Sequence, residues 1–178
     1  GVVIFQGLLG MWTVTLLLKP LIVMGHLLGG LTTLGLLVWL LLEARRSGTA
    51  LQPARRYIPW LAVSGLVILI VQISLGGWTS SNYAALACPD VPTCQGQWWP
   101  EDSNFAEGFV LWRGLGINYE FGVLDAPSRV AIHFAHRLGA LATFTVLLLI
   151  GLYYRARSQA AALRWAATLV LGAVTLQV

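Results

Sequence analysis

The chain has 178 residues, of which 57% are hydrophobic and 10% charged, with a mean hydropathy of +0.75. A soluble domain carries about 25% charged residues, so this composition excludes a soluble globular fold and predicts an all-α integral membrane protein in a lipid bilayer. The net charge of +4 falls in short basic clusters between apolar runs, with no basic face interleaved with aromatics. It reads as membrane topology, and no nucleic acid is expected as a partner.

The first apolar run is Gly1–Leu18. It lacks an initial Met and a charged leading segment, unlike a signal peptide. The second run is Leu21–Leu42, and Lys19-Pro20 between them reads as a tight turn, so the two runs form a helical hairpin. The segment Glu43–Tyr57 is polar and carries Arg45, Arg46, Arg55 and Arg56. A third run, Ile58–Trp78, precedes a long polar loop over 79–127. The fourth run is Ser128–Tyr154, followed by Arg155, Arg157 and Arg164. The last run, Trp165 to Val178, is shorter than the ~20 apolar residues a span needs. A fragment that begins and ends inside a helix is expected.

Lys and Arg concentrate on the cytoplasmic side of membrane proteins. Both arginine clusters then lie inside, and the Lys19-Pro20 turn and the loop 79–127 lie outside. That loop carries Asp90, Glu101, Asp102, Glu107, Glu120 and Asp125 against the single Arg113. Its tryptophans, Trp98 and Trp99 among them, suit a membrane interface.

The chain repeats itself. Gln6-Gly-Leu-Leu-Gly-Met-Trp-Thr13 matches Gln72-Ile-Ser-Leu-Gly-Gly-Trp-Thr79, and His26-Leu-Leu-Gly-Gly-Leu31 matches His136-Arg-Leu-Gly-Ala-Leu141. The second copy is longer only in its outer loop. Two hairpins of one kind are expected, giving a polytopic bundle built from repeated helical hairpins. Gln6, Gly10 and Thr13 fall on one helical face, as do Gln72, Gly76 and Thr79. Such a stripe lets membrane helices approach closely and share hydrogen bonds, and it reads first as a packing face.

The stretch Arg129–Leu141 places His133, His136 and Arg137 near the start of a membrane helix. A central Arg or Lys costs roughly 2.5–3.5 kcal/mol there, so these groups call for partners. His26 and His136 sit in the outer half of their helices at equivalent repeat positions. Each is followed at i+3 and i+4 by small residues, Gly29 and Gly30 or Gly139 and Ala140. That shelf suits a large planar ligand, and neutral imidazole is a common axial ligand of haem iron. A zinc or copper site lacks further ligands at membrane depth. Arg137 suits a haem propionate, or else snorkels to the interface. His133 suits a propionate, a hydrogen bond to a ligand, proton transfer or plain packing.

Cys88 and Cys94 flank a short Pro-rich segment on the outer side, where disulfides persist. A structural disulfide is the first reading and a reducible pair the second. The spacing fits neither a thioredoxin motif nor covalent haem attachment. A phosphate-binding Gly-rich loop and paired membrane carboxylates are both missing.

These motifs resemble the haem A synthase family of bacteria and mitochondria. Gln6 to Pro20 with His26-Leu-Leu-Gly-Gly30 is similar to the family's third and fourth helices. Gly76-Gly-Trp-Thr-Ser-Ser-Asn-Tyr83 through Cys88-Pro-Asp90 and Cys94-Gln-Gly-Gln-Trp-Trp-Pro100 is similar to the fifth helix and the loop after it, and His133-Phe-Ala-His-Arg-Leu-Gly-Ala140 to the sixth. The resemblance implies an eight-helix protein of two similar halves. Residues 1–57 would then end the N-terminal half and 58–178 begin the C-terminal half. It implies oxidation of the haem O methyl group to a formyl group by successive hydroxylations, with haem b as cofactor. It also implies His26 and His136 as axial ligands whose partner histidines lie in other helices. Arg137 and His133 would support the haem. The family's catalytic glutamate, three residues before the first histidine of the N-terminal pair, would lie outside this fragment; in the C-terminal copy the position three before His136 holds His133, and the fragment alone is expected to be inactive. The bacterial inner membrane is the implied location, and haem O synthase, an electron donor and a second copy of the chain are the protein partners it admits. Two other readings fit the residues alone: a di-haem b cytochrome exchanging electrons with quinol, and a transporter built from repeats.

Overall fold

The computed structural model describes residues 1–46 and 60–177. Arg55 and Arg56, and the boundary at 57/58 between the two halves, lie outside the described residues. Among the described residues six helices succeed one another: α1 (Val2–Thr15), α2 (Pro20–Arg46), α3 (Trp60–Ser81), α4 (Phe105–Gly108), α5 (Ala126–Arg157) and α6 (Ala161–Leu176). The described residues contain no strand, only an isolated bridge between Cys94 and Gln97. The all-helical fold is a consequence of the composition. In a bilayer the backbone has no water to bond, and a helix satisfies its N–H and C=O groups internally.

Among the described residues three helices are long and apolar enough to cross a membrane, with mean hydropathies of 2.0 for Pro20–Arg45, 2.0 for Trp60–Ser81 and 1.7 for Ala126–Arg157. Their apolar side chains face outward, as at Leu37, Trp39, Leu40, Leu66 and Leu149. That suits lipid, which solvates such groups as well as a protein core does. The chain is a membrane protein. α1 and α6 are apolar but shorter, at 14 and 16 residues.

Helix ends depart from the hydropathy boundaries for local reasons. α2 continues past Leu42 because Glu43, Ala44 and the arginines after them are good helix formers, and cations favour a helix C-terminus. α5 starts at Ala126 rather than Ser128. Asp125 caps it, its Oδ1 accepting from the Ser128 amide at 3.0 Å. Pro127 then costs nothing in the first turn, where a missing N–H would be unpaired anyway.

The described residues fall into two compact units, one of 1–46 and 73–135, the other of 60–72 and 136–177. In the first, the repeat extends to the way its helices stop. α1 ends in a Schellman motif: the Leu18 amide donates to the Thr13 carbonyl at 2.9 Å, and Leu17 donates to Val14 at 3.1 Å. α3 ends the same way, Ala84 donating to Thr79 at 2.9 Å and Tyr83 to Ser80 at 3.2 Å. Leu17 and Tyr83 occupy the left-handed position, both with φ 55°. Glycine is usual there, and a side chain costs about 1–2 kcal/mol. After the first motif a second left-handed residue, Leu18 (φ 60°), returns the chain into α2. After the second, the chain enters the long outer loop instead.

That loop is a packed cap with two small cores. Trp78, Ala84, Leu124 and Ile132 form one, with Met24 and Phe109 against it. Cys88, Cys94, Val130 and Phe134 form the other, with Ala87 and Phe105. The Trp78 indole N–H donates to the Gly108 carbonyl at 2.9 Å. Trp99 remains largely exposed, as an interfacial residue would, yet its ring packs edge-on against Phe134 with centroids 5.2 Å apart. The Cys88 and Cys94 sulfurs are at bonding distance, with Cα atoms 4.6 Å apart. Asp90 organises the turn between them. It accepts from Thr93, from the Gln95 amide at 2.7 Å and from the Gly96 amide at 3.0 Å. These bonds, led by Thr93, hold its carboxyl down at about 2.

Lys19 is more than half of a turn. Its side chain is only 2% exposed. Nζ donates to the Gly114 carbonyl and lies 3.2 Å from the centroid of the Trp112 ring. The Tyr119 amide donates to the Leu17 carbonyl at 3.0 Å. A buried ammonium needs such partners, and they fasten the cap to the α1–α2 turn. Lys19→Met keeps the apolar stem and leaves the Gly114 carbonyl unpaired, a loss of about 1–3 kcal/mol. Faster thermolysin cleavage within residues 109–123 of the detergent-solubilised protein is expected; an unchanged cleavage rate would contradict the clamp.

Candidate functional site

The first hairpin is joined by a reciprocal contact between α1 and α2. His26 on α2 lies over Gly10 of α1, where an added Cβ would stand 3.2 Å from the ring's Cε1. Gln6 on α1 lies over Gly29 of α2, where an added Cβ would come 1.7 Å from the amide nitrogen. Each glycine makes room for the polar side chain of the other helix. Thr13 does not reach across. Its hydroxyl donates to the Gly10 carbonyl of its own helix at 2.6 Å. The His26 side chain is otherwise exposed, beside Gly29 and Gly30.

The second hairpin uses the same residue types. Within the second unit, the Gln72 amide nitrogen lies 3.1 Å from His136 Nδ1 and 3.2 Å from the His136 carbonyl oxygen. Further along the same pair of helices, a Cβ on Gly65 would meet Ile150 at 3.1 Å and Leu147 at 3.2 Å. His136 is half-buried, and Arg137 follows it half-buried on α5. Thr79, in the first unit, again bonds its own helix, at the Leu75 carbonyl 2.8 Å away. Of the polar side chains in the two stripes, Gln72 makes the hydrogen bond across helices. The threonines do not share theirs.

His133 is tied to the outer cap. Its Nδ1 accepts from the Cys88 amide at 3.0 Å. A neutral ring that accepts at Nδ1 carries its proton on Nε2. Cys88 also packs in the cap's second core, so the base of the cysteine loop rests on α5 at this histidine. A recess of about 370 Å³ lies in the same cap, walled by Tyr83, Leu86, Pro89 and Val130 with Arg129 at its side. His133 is not part of its lining.

Among the described residues no group of three His, Cys, Asp or Glu could hold a metal ion by itself. A single imidazole with small residues beside it is the donor set for a metal that arrives inside a macrocycle with its own four nitrogen ligands. His26 and His136 each present one imidazole, and beside His26 the Gly29 position is taken by Gln6. Lys19, Asp125 and Gln72 take roles here that hydropathy and motif reading did not assign them. For Gln72 a signal existed, since a glutamine precedes each histidine at the same place in the repeat.

The family model described as COX15-CtaA, cytochrome oxidase assembly protein, matches residues 1–178. A curated relative named Heme A synthase, from Shewanella oneidensis, is 45% identical over 177 residues, covering 99% of this chain and 52% of that protein. Another of the same name, from Rhizorhabdus wittichii, is 28% identical over 153 residues, covering 85% of this chain and 40% of that protein. The chain thus spans about half the length of the curated relatives it matches. No solved structure matches.

The contact at Gly29 is open to a direct check. Gly29→Ala must displace the Gln6 amide, at an overpacking cost of about 1–3 kcal/mol. In a Gln6→Ala background the same change is expected to cost far less, measured by thermal unfolding in detergent. Equal losses in both backgrounds would show that the two residues do not meet.

Proposed function

The chain belongs to the COX15-CtaA family of cytochrome oxidase assembly proteins, and from that premise we propose that the protein it represents is a haem A synthase. Its substrate is haem O, whose porphyrin methyl group is oxidised to a formyl group by successive hydroxylations. The observation that carries this reading is the 45% identity to Heme A synthase over nearly the whole chain. It gains support from histidines recurring at equivalent places in two hairpins, each beside small residues.

In this reading haem b is the cofactor, and it supplies the redox chemistry when bound. The chain supplies the rest. His26 and His136 would each hold the haem iron through a ring nitrogen. Beside His26, Gly30 keeps the helix face low, while the position at Gly29 is taken by Gln6. The apolar walls of α2 and α5 keep water from the reacting group. Arg137 is placed to meet a propionate by a charge-assisted bond. His133 braces the outer cap, and through it the helix end that carries His136. Cys88 and Cys94 form a structural disulfide that closes the Asp90 turn. The cap faces the outside of a bacterial inner membrane, and Arg45, Arg155 and Arg157 face the cytoplasm, as the positive-inside rule requires. An electron donor, haem O synthase and a second copy of the chain remain the partners to be sought.

A di-haem b cytochrome would use the same two histidines, so ligation alone does not separate the readings. Product does. Full-length protein in membranes supplied with haem O is expected to yield haem A, identified by the pyridine haemochrome of the extracted haem. Recovery of haem B and unaltered haem O alone would overturn the synthase assignment and leave the electron carrier.

A further inference from the structure

The Gln72–His136 contact holds more information than a packing role requires. The His136 carbonyl oxygen can only accept, so the Gln72 atom 3.2 Å from it must be the amide nitrogen. That fixes which way the amide faces. The same nitrogen lies 3.1 Å from Nδ1, so Nδ1 must accept too. A neutral ring held in this way carries its proton on Nε2. A ring that binds iron through Nε2 needs the opposite arrangement, with the proton on Nδ1 and an acceptor facing it. The same side chain carries an acceptor, Oε1, which is buried and has no hydrogen-bond partner.

We propose that Gln72 is the positioning residue of His136, its amide nitrogen holding the free ring and its Oε1 accepting from Nδ1–H once Nε2 binds iron. The change moves one proton from Nε2 to Nδ1 and turns the amide over, which gives up its bond to the His136 carbonyl, and no proton is gained or lost. The inference rests on the reading of His136 as an axial ligand. Partners of this kind orient a ligating imidazole and raise its basicity.

The first hairpin provides an internal contrast. Gln6 occupies the same repeat position, yet both of its amide atoms are buried without hydrogen-bond partners, against Gly29 rather than the His26 ring. The ring of His26 rests on Gly10 instead. The two histidines are therefore held differently, and only the second has its ring nitrogen engaged by the glutamine.

The test uses the full-length protein with its haem. Gln72→Leu removes both bonds at similar volume, and Gln72→Glu keeps an acceptor for Nδ1–H with more negative charge. With Gln72→Leu, the haem bound through His136 is expected to show a shifted low-spin EPR signature and to be retained about 10–100-fold less tightly. Gln72→Glu is expected to retain the haem and lower its midpoint potential, because the ligand becomes more basic. Gln6→Leu should leave that haem's signature unchanged. The proposal fails if Gln72→Leu matches the wild type in signature and retention, or if Gln72→Leu and Gln72→Glu lose haem alike. Should Gln72→Leu not accumulate, the potential of Gln72→Glu decides: lowered supports, unchanged overturns. His136→Ala separates the two layers. If it keeps an unaltered haem, the ligand reading itself falls; if it loses haem while Gln72→Leu changes nothing, only the positioning role falls.

Discussion

A polar side chain inside a bilayer has no water to turn to, and this constraint shapes both hairpins. A helix absorbs its own backbone groups, but a glutamine or a histidine on its face needs a partner from a neighbouring helix. Gln72 and His136 meet that need for each other across α3 and α5. In the first hairpin the same residue types are accommodated by contact with glycine: His26 over Gly10 and Gln6 over Gly29. Without a hydrophobic force between helices in lipid, such close approach is a main source of association energy. The residues that pack the hairpins are thus the ones that flank the proposed iron ligands.

The outer cap solves a different problem. Long segments without secondary structure are uncommon in compact proteins unless something organises them. Here the organisation comes from two small cores, the Asp90 turn and two anchors to helix ends. Lys19 anchors the cap to the α1–α2 turn and His133 anchors the cysteine loop to α5. The cap is inserted where the repeat would otherwise turn directly into its next helix. α1 and α3 end in the same Schellman motif, with Leu17 and Tyr83 in the same conformation. The difference lies in the next segment, a direct return into α2 in one case and the cap in the other.

Much of this was legible in the sequence because it depends on local periodicity. The apolar runs locate α2, α3 and α5 to within a few residues, since hydropathy and helix length are one signal in a membrane. The repeat of Gln and His motifs identifies matching hairpins, and the structure extends that match to the helix ends. The features that stayed hidden depend on partners distant in sequence. Lys19 looks like an exposed turn residue until Trp112 and Gly114 close over it. Asp125 is one acid among several in the loop until its carboxylate meets the Ser128 amide. Thr13 and Thr79 look able to bridge helices, but each bonds a carbonyl of its own helix, Gly10 or Leu75, the nearer acceptor. Gln72 reads as a packing residue from spacing alone, because its bond to His136 is a matter of rotamer and register.

His26 and His136 hold equivalent positions in two hairpins, and in the proposed function each offers one ligand to a haem. The direct measurement is haem content and absorption spectrum of the full-length protein carrying His26→Ala or His136→Ala, with folding checked by circular dichroism. Each substitution is expected to remove b-type haem signal from a protein that remains helical. Haem content and spectrum unchanged in both variants would contradict the ligand assignment.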